Sequence, residues 1–547
     1  MRKRIVTALL AAAMMLSLLA GCYTETTVPV ESTDTNVTTS AQSETPSSSE
    51  ATTTSQTTTT SQTTTSTSST SSKKSPTTAR FPYSLIKRLK SSSATGGNAG
   101  GDGGNGGGTT TPGDDDQVVN NFYDEYRAFT SVANVIMMRA RGTMNRDNPT
   151  AGGFWKATNK NVFTHMNFDD PESPGDADST LWPYGAYMEG VGAQLSASKA
   201  AGVSVNMEAE EEYEKLLENV DLFTDVGESQ GDFLALQCVQ GTGGAQIFND
   251  DNVWIALEWI NAYRLTGNQD YLNKAKRNLN YIFKSWDTSV LNGGIWWMPP
   301  GREGGEKPQK NACINAPFAW AAAELYQLTG EESYLTEAKM AYDWTKNNLW
   351  DKDRNLIWDK YVRSDTGGWD RDQNEFAYNT GCMIGAAAVL YEITENETYL
   401  TDAKTWAAGS EQYFFSERVE IRSDNAPEDA AKATGYYFDT ITSNNDSDLL
   451  WFHSNLIKGI FQLYNSELKV KGSADPTYAR IALNAVSVFT VTNGKTDSGY
   501  INPAYRATAA PSLSNITPKG EGTAARMMYM CDEFLRVNEE NFQRIAE

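Results

Sequence analysis

The chain has 547 residues, a formal net charge of −23, and an aromatic share of 11% that includes 14 Trp. A chain this acidic repels nucleic acid and has no basic membrane-facing patch on its folded part, so a neutral partner suits it best. It has two His in all, and Cys238, Cys313, Cys382 and Cys531 show no zinc-ligand spacing. No metal or cofactor is therefore expected, and those four Cys read as buried free thiols, with a disulfide as the alternative.

The elements follow in chain order. Arg2, Lys3 and Arg4 precede an apolar run from Ile5 to Leu19, and Leu19-Ala20-Gly21-Cys22 then reads as a lipobox. The run is too short for a comfortable membrane span, which points to a cleaved signal. The expectation is that residues 1–21 are removed and that acylated Cys22 holds an extracytoplasmic lipoprotein on the cell membrane. An ordinary signal peptide that happens to hold a Cys is the alternative. Residues 22–117 form a Thr/Ser-rich and then Gly-rich stretch. It is too polar to offset its ordering entropy, so a disordered tether averaging roughly 50–60 Å is expected. The basic, apolar piece Arg80 to Lys90 within it reads as linker.

Residues 118–547 read as one helical domain, on the strength of an internal repeat. Tyr263-Arg-Leu-Thr-Gly-Asn-Gln-Asp-Tyr-Leu-Asn-Lys-Ala-Lys276 recurs from Tyr326 to Lys339 and from Tyr391 to Lys404, with Tyr271, Tyr334 and Tyr399 spaced 63 and 65 residues apart. Each copy joins two helices through a polar turn, with Gly267 and Gly330 at helix ends. Two helices cannot bury their apolar faces alone, so neighbouring units must stack. Weaker copies lie near Tyr213 and Tyr478, and the segment from Ala524 to Val537 reads as a closing helix. About a dozen helices in hairpins give a closed α/α toroid or an open solenoid, and the long Gly/Trp-rich return from Ser289 to Lys310 favours the toroid.

The repeat also aligns polar residues. Asn249-Asp250-Asp251-Asn252, Lys310 to Asn315, and Tyr378-Asn379 fall at equivalent places, each before an apolar helix. In a ring these helix starts converge on one rim, where a ligand site needs them. Asp250 and Asp251 suit a pair of catalytic carboxyl groups, which must stand about 5–5.5 Å apart for a retaining glycosidase. The plain alternative is a helix N-cap, which favours Asp. Gly293-Gly294-Ile295-Trp296-Trp297 offers either an aromatic wall for a sugar or a plug for the core. Trp358, 62 residues after Trp296, adds weight to the plug. His165 and His453 read as surface or core residues.

The ordered motifs Phe248 to Trp254, Leu265-Thr-Gly267, Gly293 to Trp297, Lys310-Asn-Ala312 and Ala377-Tyr-Asn-Thr-Gly381 resemble glycoside hydrolase family 76. The resemblance runs from about Trp182 to the C-terminus. It implies an (α/α)6 barrel and a retaining endo-α-1,6-mannanase, with Asp250 as nucleophile and Asp251 as acid/base. The rim and the Gly/Trp segment offer mannan contacts from Asn252, Trp296, Trp297, Asn311, Asn315, Tyr378 and Asn379, and a monomer is expected. The helix start should keep Asp250 ionised, and repulsion should raise Asp251. Thr380, Cys313 and Ala316 depart from the family pattern. The rival readings are a mannan transglycosylase using the same acids, a non-catalytic glycan-binding lipoprotein, and an unsaturated-uronide hydrolase. The last would need basic residues, of which the expected rim shows mainly Lys310.

Overall fold

The computed structural model describes residues 129–138, 140, 179–203, 207–302, 304–421, 433–439, 448–493 and 518–539. The signal, Cys22, the linker and His165 lie outside these residues. All described residues belong to the unit Pro112–Glu547. Its helices are α1 (Leu181–Ala200), α2 (Met207–Asn219), α3 (Asn249–Thr266), α4 (Gln269–Phe283), α5 (Ala312–Thr329), α6 (Glu332–Leu349), α7 (Ala377–Thr394), α8 (Glu397–Phe414), α9 (Leu449–Lys471), α10 (Thr477–Asn493) and α11 (Pro518–Val537).

The odd-numbered helices form an inner ring. Each packs on the next, and α11 packs back on α1, so the ring closes. The even-numbered helices lie outside, each antiparallel to the inner helix before it. The sequence dictates this sorting. Every residue of α5 from Ala312 to Leu325 is buried, as a helix enclosed on all sides requires. The outer α4 buries only Leu272, Ala275, Asn278, Leu279, Tyr281 and Ile282, a single stripe at helical spacing. Gly381 of α7 and Gly459 of α9 let two inner helices approach until a Cβ on either would meet the other's backbone. The helical stretch 129–138 crosses the seam of the ring. There Asn134 Oδ1 accepts from Gln194 Nε2 of α1 (3.1 Å) and from Tyr529 Oη of α11 (2.6 Å).

The repeated turn has one physical design. Thr266, Thr329 and Thr394 each donate to the carbonyl four residues back, and each hydroxyl accepts the N–H two residues on. The next residue is left-handed: Gly267, Gly330 and, in the third copy, Glu395 at φ 54°. Glycine takes that conformation without a steric cost, whereas a residue with a Cβ does not.

The all-helical expectation misses a small sheet. β1 (Gln309–Asn311), β2 (Trp350–Asp351), β3 (Leu356–Arg363) and β4 (Trp369–Glu375) pair antiparallel, with β3 bonded to each of the others. β5 (Phe415–Ile421) and β6 (Ala433–Phe438) form a separate hairpin. β4, Trp-Asp-Arg-Asp-Gln-Asn-Glu, has no β-branched residue and gives no strand signal. β1 runs straight into α5, and β4 ends one residue before α7. The sheet therefore covers the end of the ring where the inner helices begin.

Candidate active site

Asp250 and Asp251 occupy the first turn of α3, whose N-cap is Phe248, so neither is the cap itself. Asn249 ties this start to the Trp296-Trp297 segment: its backbone N–H donates to the Trp297 carbonyl (2.8 Å) and its side chain to the Trp296 carbonyl (2.8 Å). Both Asp residues are half-buried. Asp250 Oδ2 accepts the Cys313 thiol at 3.3 Å. Asp250 Oδ1 is buried and has no hydrogen-bond partner among the described residues.

Positions equivalent in the repeat meet here. Asp250 of α3, Cys313 of α5 and Tyr378 of α7 stand at matching places in their helix starts, and the three interact electrostatically. Asp359 and Lys360 of β3 join them, and neither was singled out from sequence. Asp359 is buried, accepts from Asn379 Nδ2 (3.3 Å) and lies 3.4 Å from Lys360 Nζ. In strand register Lys360 faces Asn311 on one side and Asp372 on the other. One signal could have found this pair. Extending the match of Trp296 with Trp358 by one residue pairs Trp297 with Asp359.

Burial pushes the Asp250 carboxyl up to about 6, against hydrogen bonds from Trp297, Cys313 and the backbone that favour its charged form. Removal from water thus outweighs the helix dipole, whose effect is typically below 1 kcal/mol, and the carboxyl is charged above about pH 6. Burial and nearby carboxylates hold the Cys313 thiol and the Tyr378 phenol well above their usual ranges. Both therefore stay protonated as hydrogen-bond donors near neutral pH.

Other residues have different settings. Asn252 is fully buried: Oδ1 accepts from the Leu236 N–H and from Asn278, and Nδ2 donates to the carbonyls of Leu236 and Phe248. Asn315 likewise holds the N–H and C=O of Ile295 and the Asn311 carbonyl. Thr380, next in the repeat, accepts the Ile357 N–H. These three clamp the backbone entering the rim; the Asn252 amide has nothing left for a sugar, and Asn315, its NH2 fully used, is fully buried. Lys310 is fully buried too. Its ammonium binds Asp287 Oδ2 and the carbonyls of Asp287, Val290 and Gly293, so it staples a loop instead of lining the rim. Gly293 and Gly294, at φ 131° and 94°, turn that loop past Trp286 and Trp344.

The two indoles divide. Trp297 packs on Phe248 (4.8 Å between ring centres) and hydrogen-bonds Asp250. Trp296 faces Trp369 at 5.6 Å, beneath the Lys310 ammonium. Both line a cavity of about 340 Å³ with Trp369, Arg363 and Asp287. Asn311 and Asn379 are buried, and each leaves Oδ1 without a partner among the described residues. Beneath the rim, Tyr378 stacks on Phe452 (4.4 Å), and Trp254 meets Trp451 edge-on (4.7 Å). His453 is buried between the carbonyls of Leu449 and Asp439, a core residue. Cys238, Cys313, Cys382 and Cys531 are all free and buried.

The closed double ring, with acidic side chains at one set of inner helix starts, defines an (α/α)6 barrel. A model described as glycosyl hydrolase family 76 matches residues 147–480, more than half of the chain, and the chain belongs to that family. It is similar to the mannan endo-1,6-alpha-mannosidase DCW1 of Candida albicans (29% identity over 24% of this chain and 28% of that protein). It is also similar to DFG5, of the same description, from Saccharomyces cerevisiae (28% identity over 29% and 34%). The matched stretch spans about a third of the length of such relatives. Among solved structures, a family 76 mannosidase from Bacteroides thetaiotaomicron superposes with TM-score 0.60 and 21% identity over 76% of this chain and all of that one. An inactive variant of an α-1,6-mannanase from Salegentibacter, in complex with α-1,6-mannotriose, gives TM-score 0.53 and 20% identity over 75% and 99%.

Proposed function

We propose that this chain is a retaining endo-α-1,6-mannanase in which Asp250 attacks the anomeric carbon and Asp251 is the acid/base. The observation that carries the reading is Asp250 itself. One oxygen is held by donors, while the other is buried, bare and part of an adjacent carboxyl pair. Family membership, and relatives described as mannan endo-1,6-alpha-mannosidases, support the substrate. Asp251, protonated, gives its proton to the leaving oxygen as the glycosyl–Asp250 ester forms. It then takes a proton from the water that breaks that ester, and the α configuration is retained. Asp250 must be ionised to attack, so kcat/KM should fall as pH drops below about 6. Asn311, Tyr378 and Asn379 are proposed to bind the sugar at the cleavage point, with Trp296 and Trp297 walling the adjoining cavity. The clamps Asn252 and Asn315 act on the sugar only through the backbone they hold.

An activated α-mannoside separates the two roles. Asp251→Asn should still form the ester and yield α-mannosyl azide when azide is added, whereas Asp250→Asn should form no ester. A β-anomer appearing first in NMR of wild-type hydrolysis would overturn the assignment. We further propose that residues 118–547 are the catalytic domain and that Cys22 carries the lipid tethering it outside the cytoplasm. Labelling with a fatty-acid probe should vanish in Cys22→Ala, and persistent label would exclude the anchor.

A further inference from the structure

The rim buries more negative than positive charge. Asp250, with Asp251 beside it in α3, faces Cys313 from α5, Asp359 and Lys360 from β3, Tyr378 from α7 and Trp297 from the connecting loop. Lys360 is a cation that acts on this cluster. It lies 3.4 Å from Asp359, and its charge is shared with Asp372 of β4. No ion pair to Asp250 occurs among the described residues. Its charge is therefore stabilised by neutral donors, Trp297 and Cys313, and the Cys313 thiol sits 3.3 Å from Oδ2.

We propose that Cys313 is the positioning residue that sets the ionisation and aim of Asp250, through a thiol-to-carboxylate hydrogen bond. The inference rests on the reading of Asp250 as nucleophile. Cys313 is buried in the first turn of α5. Pro317, four residues on, has no N–H to give the Cys313 carbonyl. Asn315 and the strand leading into α5 hold this turn instead. The thiol carries one hydrogen. Pointed at Oδ2, it restrains the carboxylate plane, while Oδ1 stays buried without a partner among the described residues. The weakness of the donor also matters. A thiol lowers the carboxyl's pKa less than a hydroxyl would, so Asp250 keeps more of its basicity and with it more nucleophilic strength. Asp359 needs no such donor, because Lys360 and Asn379 already serve it.

The test compares Cys313→Ser and Cys313→Ala with wild type in the full chain, with Asp250→Asn as the control for the underlying reading. If Cys313 sets the charge of Asp250, the acid limb of kcat/KM moves up by about one pH unit in Cys313→Ala, which lacks the donor. It moves down in Cys313→Ser, whose hydroxyl is the stronger donor. kcat should fall about tenfold in the alanine variant, because the carboxylate loses the hydrogen bond that aims it, a loss that outweighs its gain in basicity; KM should change little, and serine should restore most of the loss. Carbon NMR of the Asp250 carboxyl reads the same order of pKa values without turnover, and a thermal melt verifies folding. Coincident limbs in all three proteins, with Asp250→Asn inactive, would show that Cys313 only fills space and would leave the nucleophile assignment standing. An active Asp250→Asn would remove that assignment itself. If alanine unfolds the protein, the direction of the serine shift alone decides.

Discussion

The two mouths of the ring are built from the same inner helices, yet their buried polar groups are finished differently. The far mouth, where the inner helices end, holds a cavity of about 300 Å³ lined by Glu189, Glu258, Glu324, Arg264, Lys458 and Arg526, among others. Three of its acids are hydrogen-bonded, and Glu533, also in its lining, is half-buried without a hydrogen-bond partner among the described residues. Glu324 accepts from Trp320 and Arg264, Glu189 from Arg526 and Trp451, and Glu258 from Tyr213 and Asn261. The near mouth has a cavity of similar size, but buried oxygens of Asn249, Asp250, Asn311 and Asn379 lack partners among the described residues. Burial raises a carboxyl at each end, Asp250 to about 6 and Glu258 to about 7. Neither volume nor a shifted pKa tells the two mouths apart. Fully buried polar atoms without a partner do, since no residue lining the far cavity holds one among the described residues, and such an atom costs about 1–3 kcal/mol unless something arrives to meet it.

The sharpest way to break this comparison is activity. Asp250→Asn should cut kcat on α-1,6-mannan by about 10⁴-fold or more, as removal of a nucleophile does. Glu258→Gln, a buried acid of comparable pKa at the other mouth, should leave kcat nearly unchanged. Equal losses would mean that the two ends cannot be separated by their hydrogen bonding.

A second, smaller effect concerns stability. The folded-state pKa of Asp250, about 6, lies above its usual 3.8, so between these values the folded protein holds the proton more tightly than the unfolded chain. Stability from this group is therefore full below about pH 4 and is lost as pH rises through 6. At pH 7.5 the buried charge costs up to about 3 kcal/mol. Urea unfolding should show Asp250→Asn more stable than wild type by an amount of that order at pH 7.5, with the gain gone at pH 4. A gain independent of pH would mean that packing, not charge, is responsible.

The smallest effect tests the repeat itself. Glu395 holds the left-handed turn position that Gly267 and Gly330 occupy in the other copies. Glu395→Gly should raise stability by about 0.5–1 kcal/mol, with activity unaffected. A loss would show that the Glu395 side chain contributes more than its backbone strain removes.

The ring was legible because the repeated Thr-Gly turn and the all-apolar inner helices are local signals that recur. Those same copies aligned Asp250, Cys313 and Tyr378 before any coordinates did. What stayed hidden was where side chains point. Asn252 and Asn315 look like rim residues by position, but they turn inward, because the entering backbone needs its N–H and C=O groups met. Lys310 looks like a basic contact and is instead consumed by loop carbonyls. Asp359 and Lys360 lie on a strand whose polar neighbours give no alternation, so only their register beside Asn311 brings them to the site.

The seam at Asn134 has a consequence for how the protein comes into being. Its partners there include Tyr529, 395 residues away in the chain, and Trp451 reaches back 262 residues to Glu189. Hairpins such as α3–α4 assemble from near neighbours, but the last inner helix must find the first across nearly the whole domain. Contacts of such long range are the slow ones to form. Maturation should therefore pass through an open arc whose inner faces stay wet until α11 arrives, and it is in that interval that the chain is most exposed to proteases and to its own neighbours.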